Sequence, residues 1–282
     1  FGRERYGRHV GITALGALAF MSHGDLPRRG RYGAHVDRAL RFILAHVQET
    51  GLIAADTSHG PMYGHGFATL FLAEIYGMTH DRRTREALIK AIRLIVGSQN
   101  AEGGWRYQPV AKDADLSVTI CQVMALRAAR NAGIKVPKET IDRAVTYVRR
   151  CQNRDGGFRY MLTSSGSSAF PRSAAGVATL YYAGIYEDSA LDNGLKYMMH
   201  HLPGSGRTSS HYFYGQYYAV QAMYLAGKEY WSGWFPAIRK ELIARQNSAT
   251  GEWSGQAGRS YGTAMALIIL QMPNRYLPIF QK

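Results

Sequence analysis

Cysteines, acidic residues and long apolar runs are all scarce in this chain, and each shortage removes a class of protein. Two cysteines, Cys121 and Cys151, in 282 residues are too few for a disulfide framework. If the helices pair as read below, one bridge between the two is the most the sequence allows. The longest mostly apolar stretch, residues 12–21, is about half the ~20 residues a membrane helix requires. No signal peptide is visible. A serine nucleophile elbow, a phosphate-binding glycine loop and a Cys-x-x-Cys pair are also missing. Aspartate and glutamate number 20 against 34 lysines and arginines, a formal net charge of +14. That excess raises affinity for anionic surfaces. Its carriers, among them Arg28, Arg38, Arg82, Arg93, Arg149 and Arg239, form no recognition helix and no aromatic–basic stacking platform. Nucleic acid is therefore not expected as a partner, whereas peripheral contact with an anionic membrane is. The compartment stays open. The chain begins with Phe1 rather than Met and reads as a truncated or processed product.

What is present is a repeat. Residues 98–107 read Ser-Gln-Asn-Ala-Glu-Gly-Gly-Trp-Arg-Tyr, and residues 151–160 read Cys-Gln-Asn-Arg-Asp-Gly-Gly-Phe-Arg-Tyr. A looser copy starts at Gln246-Asn247 and ends Gly251-Glu252-Trp253, and a decayed one runs from Gln48 through Gly51 to Ile53. A period of about 50 residues means one supersecondary unit stacked several times. Gln at the end of a helix can satisfy exposed backbone groups there or at a neighbouring helix start. Gly-Gly permits a sharp turn, and the following aromatic packs back on it. These residues read first as structural ties between hairpins.

Between the copies, helical segments of two kinds alternate. One kind is amphipathic, with Val36, Leu40, Ile43 and Val47 at helical spacing among Asp37, Arg38 and Arg41. Leu88, Ile92 and Ile95 repeat the pattern, as do Ala144, Val145 and Val148, then Leu191, Leu195 and Met198, then Phe235, Ile238, Leu242 and Ile243. The other kind is nearly uncharged all round: residues 12–21, 66–78, 118–129, 174–186, 212–226 and 261–272. A helix with no polar face is surrounded by protein. Strict alternation predicts two concentric layers, an inner barrel of six neutral helices inside an outer ring of five amphipathic ones. The sixth outer helix is expected before Phe1. Asp81, Thr84, Pro137, Pro171 and the Glu187-Asp188 pair mark helix starts. Pro273 and Pro278 predict an extended tail. No domain boundary interrupts residues 1–282.

A Gln-x-x-x-Gly-Gly-aromatic motif on this period resembles the repeat of squalene–hopene cyclases and protein prenyltransferase β subunits. It is closer still to bacterial prenyltransferase and squalene-oxidase repeat proteins. The resemblance covers essentially the whole chain. It implies an all-α fold, an α/α toroid of about six helical hairpins, with a central cavity at the N-termini of the inner helices.

The resemblance also implies two chemistries. Class II cyclases protonate an isoprenoid with an Asp-x-Asp-Asp motif whose middle acid stays protonated in a dry, aromatic cavity. The nearest match is Asp113-Ala114-Asp115-Leu116, which lacks the last acid. Two carboxylates two residues apart can raise one pKa, while helix capping is the competing role for Asp113 or Asp115. Prenyltransferases hold zinc through Asp, Cys and His, but residues 258–263, Gly-Arg-Ser-Tyr-Gly-Thr, open the last inner helix without a zinc ligand. No metal and no cofactor is expected, and a set made of His65, Asp115 and His211 competes with ordinary structural histidines. The candidate catalytic residues are Asp113, Asp115 and His65. The candidate ligand contacts at inner-helix starts are Tyr63, Phe170, Arg172, His211, Tyr212, Tyr214 and Tyr261, with His59 nearby. Glycosidase chemistry needs two opposed carboxylates, whereas Glu102, Asp113, Asp115 and Glu252 all lie in or beside repeat turns. The expected function is a cavity protein for an isoprenoid-like or other apolar ligand, and it requires an enclosed cavity. The alternative is a non-catalytic module binding a protein or glycan on the toroid's end face.

Overall fold

The computed structural model describes residues 8–57, 60–205 and 210–281. In chain order the helices are α1 (Val10–Ser22), α2 (Gly33–Leu44), α3 (Met62–Thr79), α4 (Arg82–Gly97), α5 (Leu116–Asn131) and α6 (Lys138–Arg150). They continue with α7 (Phe170–Tyr182), α8 (Ser189–Met199), α9 (Tyr212–Ala226), α10 (Lys228–Arg245) and α11 (Arg259–Leu270). Two 3-10 turns follow, Met272–Asn274 and Pro278–Phe280. Among the described residues the only β pairing is isolated bridges, and no helix is long and apolar enough to cross a membrane.

The neutral segments form the inner layer. Each odd-numbered helix packs against the next, and α11 closes the ring on α1. The amphipathic helices lie outside, with α2 on α1, α4 on α3, α8 on α7 and α10 on α9, while α6 bridges α5 and α7. Small residues set the inner spacing. A Cβ on Gly11 would lie 2.9 Å from the Gly64 Cα, so α1 and α3 touch backbone to backbone at a point only glycine allows. Capping starts the helices where the sequence marks them: Asp81 accepts from the Thr84 N–H at 2.8 Å and Asp188 from the Ala190 N–H at 2.7 Å.

Each repeat copy ties one hairpin to the next. The Gln99 Nε2 donates to the Gly103 and Thr140 carbonyls, both at 2.8 Å, joining its own turn to the first turn of α6. Gln152 does the same to Gly156 at 2.9 Å and to Ala190 in α8 at 2.8 Å. The Trp105 Nε1 donates to the Ile95 carbonyl at 2.7 Å, and Trp253 to Leu242 at 2.8 Å, satisfying carbonyls near the end of the preceding outer helix. Gly103 has φ 100°, and a Cβ there would meet the Arg143 carbonyl oxygen at 2.2 Å. In the third copy Gln246 donates to Gly251 at 2.8 Å and, among the described residues, to no further outer helix.

The one bridge the sequence allows is not formed: both cysteines are buried and free, Cys121 on α5 beside Tyr218 (3.2 Å) and Cys151 at the end of α6. Three expectations are corrected. Ile243 is 55% exposed, and Trp234 is buried on α10 instead. The tail is not extended: Leu277, Ile279 and Phe280 are buried, and the last 3-10 turn packs on α3 and α5 at the C-terminal end of the barrel. There the Ile279 N–H donates to Glu74 at 3.3 Å, and burial pushes the Glu74 carboxyl up to about 8. Finally, the barrel axis is filled. Phe67 on α3 and Tyr217 on α9, opposite members of the ring, meet edge to face with centroids 6.0 Å apart. The Tyr217 hydroxyl donates to the Met124 sulfur on α5 at 3.6 Å. Tyr217, one turn beyond the candidate tyrosines of α9, is thus part of the packing across the ring.

Candidate functional site

All inner-helix N-termini face one end of the barrel, and the repeat turns deliver side chains to it. The Tyr107 carbonyl accepts from the Met62 N–H at 3.1 Å and the Tyr160 carbonyl from the Leu116 N–H at 2.9 Å. The Arg-Tyr end of each strong repeat copy is thereby docked on the first residue of an inner helix, α3 and α5 respectively. The Tyr107 and Tyr160 hydroxyls then hydrogen-bond to each other.

Asp115 lies beside Tyr160. It is the N-cap of α5, with Oδ1 accepting from the Val118 N–H and from the Ser117 hydroxyl, both at 2.8 Å. The capping role is real and occupies one oxygen. The other, Oδ2, is buried and completes no hydrogen bond among the described residues, although the Tyr160 phenol interacts with the carboxyl. Arg106 Nε lies 3.8 Å from Oδ2. Burial raises the Asp115 pKa above the ordinary aspartate value, and the Val118 N–H, Ser117, Tyr160 and Arg106 offset part of that rise. Around it the Tyr63 hydroxyl donates to the Ser117 hydroxyl at 2.8 Å, and the Tyr214 hydroxyl to the Ser117 carbonyl at 2.9 Å. Burial holds Tyr63, Tyr160 and Tyr214 far above the ordinary phenol pKa, so all three stay neutral. Asp113 is half-exposed and pairs with Arg106 at 2.5 Å. A proton donor in a half-buried phenolic setting is the chemistry this group can supply.

A second cluster lies beside the first. His211, Tyr212, Phe213, Arg245, Gln256 and Tyr261 border an open cleft of about 200 Å³ at the starts of α9 and α11. The Arg245 guanidinium lies 4.1 Å over the Tyr212 ring and pairs with Glu241 at 2.6 Å. His211 is left-handed at φ 59°, and its ring bonds Gln256. Tyr214 feels both Asp115 and Tyr261, and so links the two clusters.

The remaining candidates are placed elsewhere. His65 points between the layers: its Nδ1 accepts from the Ile53 N–H at 3.1 Å, its other side faces the Ala91 backbone of α4, and burial lowers its pKa to about 4. Phe170 stacks on Trp234 of α10 at 6.0 Å, inside the interlayer core. Arg172 clamps the second repeat turn through the Phe158 carbonyl at 3.1 Å and the Ser167 carbonyl at 2.6 Å. Their places at helix starts were read correctly, but their rotation about the helix axis sends them outward. His59 lies outside the described residues. Sequence reasoning missed Arg106, Tyr107, Ser117 and Tyr160. The identical Arg-Tyr ending of the two strong repeat copies was the available signal.

No family model matches the chain. The fold is similar to cellobiose 2-epimerase from Bacillus thermoamylovorans, with TM-score 0.70, 12% identity, and coverage of 94% of this chain and 88% of that one. A sugar epimerase from a ruminal bacterium gives TM-score 0.69 at 12% identity, covering 95% of this chain and 88% of that one. The GH76 α-mannanase of Bacteroides thetaiotaomicron gives 0.66 at 9%, covering 93% and 85%. Likeness at such identities is likeness of fold alone, and the fold it shows is an α/α toroid. Over 151 residues, 53% of the chain, it is 30% identical to drimenyl diphosphate synthase of Streptomyces showdoensis. That match spans 26% of the relative's own length.

Proposed function

We propose that the barrel mouth is a terpene-cyclase-type acid site for an isoprenoid-like ligand, with Asp115 as the proton donor. One observation carries this reading: Asp115 is fully buried, stands in Asp113-Ala114-Asp115-Leu116 where the middle acid of an Asp-x-Asp-Asp motif would stand, and has one oxygen that completes no hydrogen bond among the described residues. Burial of the carboxyl favours the protonated form. Protonation of an alkene carbon by Asp115 would leave a carbocation, which the π faces of Tyr63 and Tyr214 would stabilise. The cleft bordered by Arg245 and His211 would take the anionic end of the same ligand. Similarity to a drimenyl diphosphate synthase supports the class of ligand.

The filled axis constrains how such a ligand binds. A depression of about 200 Å³ is smaller than the ~300–1,000 Å³ of ordinary ligand pockets. In place of the enclosed cavity expected of such a protein, the ligand would lie across the end face, and the fully buried Asp115 carboxyl would have to be uncovered for the proton to pass. The same filled axis favours a second reading, a non-catalytic end face that binds another protein.

Incubation with a linear isoprenoid diphosphate, followed by extraction and mass spectrometry, separates the two. Cyclised product from the wild type and none from Asp115→Asn, with ligand binding retained, is the expected result. Product formed undiminished by Asp115→Asn removes Asp115 from the chemistry. Failure of both proteins to bind any isoprenoid transfers the end face to the protein-binding reading.

A further inference from the structure

Asp113 has no part in the proton transfer proposed above, yet it holds the residue on which that transfer depends. Its carboxylate pairs with the Arg106 Nη1 at 2.5 Å, at a side chain that is 45% exposed. The same guanidinium turns its Nε toward Asp115, where it stops 3.8 Å from Oδ2. Both atoms are buried, and neither has a hydrogen-bond partner among the described residues. A buried N–H donor facing a buried carboxyl oxygen, each unsatisfied, is an arrangement that a short movement would relieve. Arg106 lies 5.2 Å over the Tyr107 ring, and the ion pair at its other end is with Asp113.

The surroundings of Asp115 make Arg106 the deciding neighbour. Tyr63 faces it from α3, Tyr147 from α6, Tyr214 from α9, Tyr160 from the second repeat turn and Cys121 from its own helix. Burial keeps all five of these groups protonated and uncharged at neutral pH. Arg106 is the group among these neighbours that carries positive charge, and it already offsets part of the effect of burial on Asp115. Whether Asp115 persists as a neutral acid or becomes the anionic half of an ion pair thus turns on the position of one guanidinium.

We propose that Asp113 is a positioning residue that withholds Arg106 from Asp115 and so prevents Asp115 from pairing as a carboxylate. The proposal rests on the reading of Asp115 as the site's acid, and it gives the first acid of the motif a task distinct from proton donation. It also gives the Arg-Tyr ending of the first repeat copy a role beyond tying hairpins together.

The test is infrared titration of the Asp115 carboxylic-acid band in the intact protein, the band being assigned by its loss in Asp115→Asn. In Asp113→Asn, Arg106 is released onto Asp115, and the titration midpoint should fall by about 1 to 3 pH units, the effect of an opposite charge at contact distance. In Arg106→Gln the midpoint should rise, and adding Asp113→Asn to that variant should leave it unchanged. Asp113→Glu, which retains the anchor, should titrate like the wild type. An equal fall on Asp113→Asn with and without Arg106 would show that Asp113 acts only as a like-charged neighbour, and would overturn the proposal. No fall at all would overturn it as well. Should Arg106→Gln fail to fold, Arg106→Met replaces it, because its side chain fills similar space and carries no charge to Asp115. The band reports on Asp115 whether or not an isoprenoid is turned over, so a negative cyclisation assay leaves this test standing.

Discussion

Replacing Glu74 with glutamine should change how stability depends on pH, and in one direction only. Glu74 is 1% exposed, and burial raises its pKa from 4.5 to about 8, the Ile279 N–H offsetting part of the rise. Between those two pH values the folded protein keeps a proton that the unfolded chain has released. Stability therefore falls as pH rises through the window, by ~1.4 kcal/mol per pH unit. His65 has the opposite sign. Burial lowers its pKa from 6.5 to about 4, so over that range the unfolded chain holds the extra proton and stability rises with pH. From pH 4.5 to 6.5 the two slopes cancel, and from 6.5 to 8 that of Glu74 continues alone. The loss over this last interval is about 2 kcal/mol. Asp115, also raised by burial, adds a decline of the same sign just above its ordinary value of 3.8. Urea denaturation followed by circular dichroism, repeated from about pH 5 to pH 9, measures the curve. The wild type should lose stability above pH 6.5, whereas Glu74→Gln should hold level there, since its amide oxygen still accepts from Ile279. Equal declines in the two proteins would refute the assignment of a buried, protonated carboxyl to this position.

Other outcomes follow from particular contacts. Gln99→Ala removes two hydrogen bonds of a buried side chain and should cost about 1–3 kcal/mol, whereas Gln246→Ala removes one exposed bond and should cost under about 0.5 kcal/mol, both read from chemical denaturation. Burial pushes the Cys121 and Cys151 thiols up to about 12, so neither should react with a disulfide reagent at neutral pH until denaturant is added. Rapid labelling of the native protein would contradict that burial. With a formal charge of +14, the protein should sediment with anionic vesicles at low salt, bind neutral vesicles poorly, and lose both associations at high salt.

The layers could be read from the sequence because charge alone sorts the helices into two kinds. A segment such as 212–226, uncharged on every side, has nowhere to go except inside, and α9 occupies those same residues. That Asp115, Tyr63 and Tyr214 are neighbours was legible because they stand at inner-helix starts, and the structure joins all three through Ser117. His65, Phe170 and Arg172 share that feature but face outward. The nearly uniform apolarity of an inner helix conceals which side faces the axis. Tyr107 and Tyr160 were hidden for a different reason. Their motif has a complete structural explanation in its Gln and Gly residues, and nothing within a single copy shows that two copies end side by side. The contact across the ring was not legible, because nothing in the sequence shows that Phe67 and Tyr217 both turn inward and meet.

The closure of α11 on α1 bears on the order in which the protein assembles. Every other joint in the ring is spanned by a turn and an outer helix, so its partners are neighbours in sequence. This one is made by Gln271 donating to the Ala19 carbonyl at 3.0 Å and Asn274 to the Ser22 carbonyl at 3.3 Å, each across 252 residues. Local hairpins form quickly, and contacts between distant residues form slowly. Until the ring shuts, Phe67 and Tyr217 have no opposite wall to meet, and the apolar interior stays open to water. The seam is thus expected to close after the local hairpins, leaving an interval in which the open interior can associate with other copies of the chain.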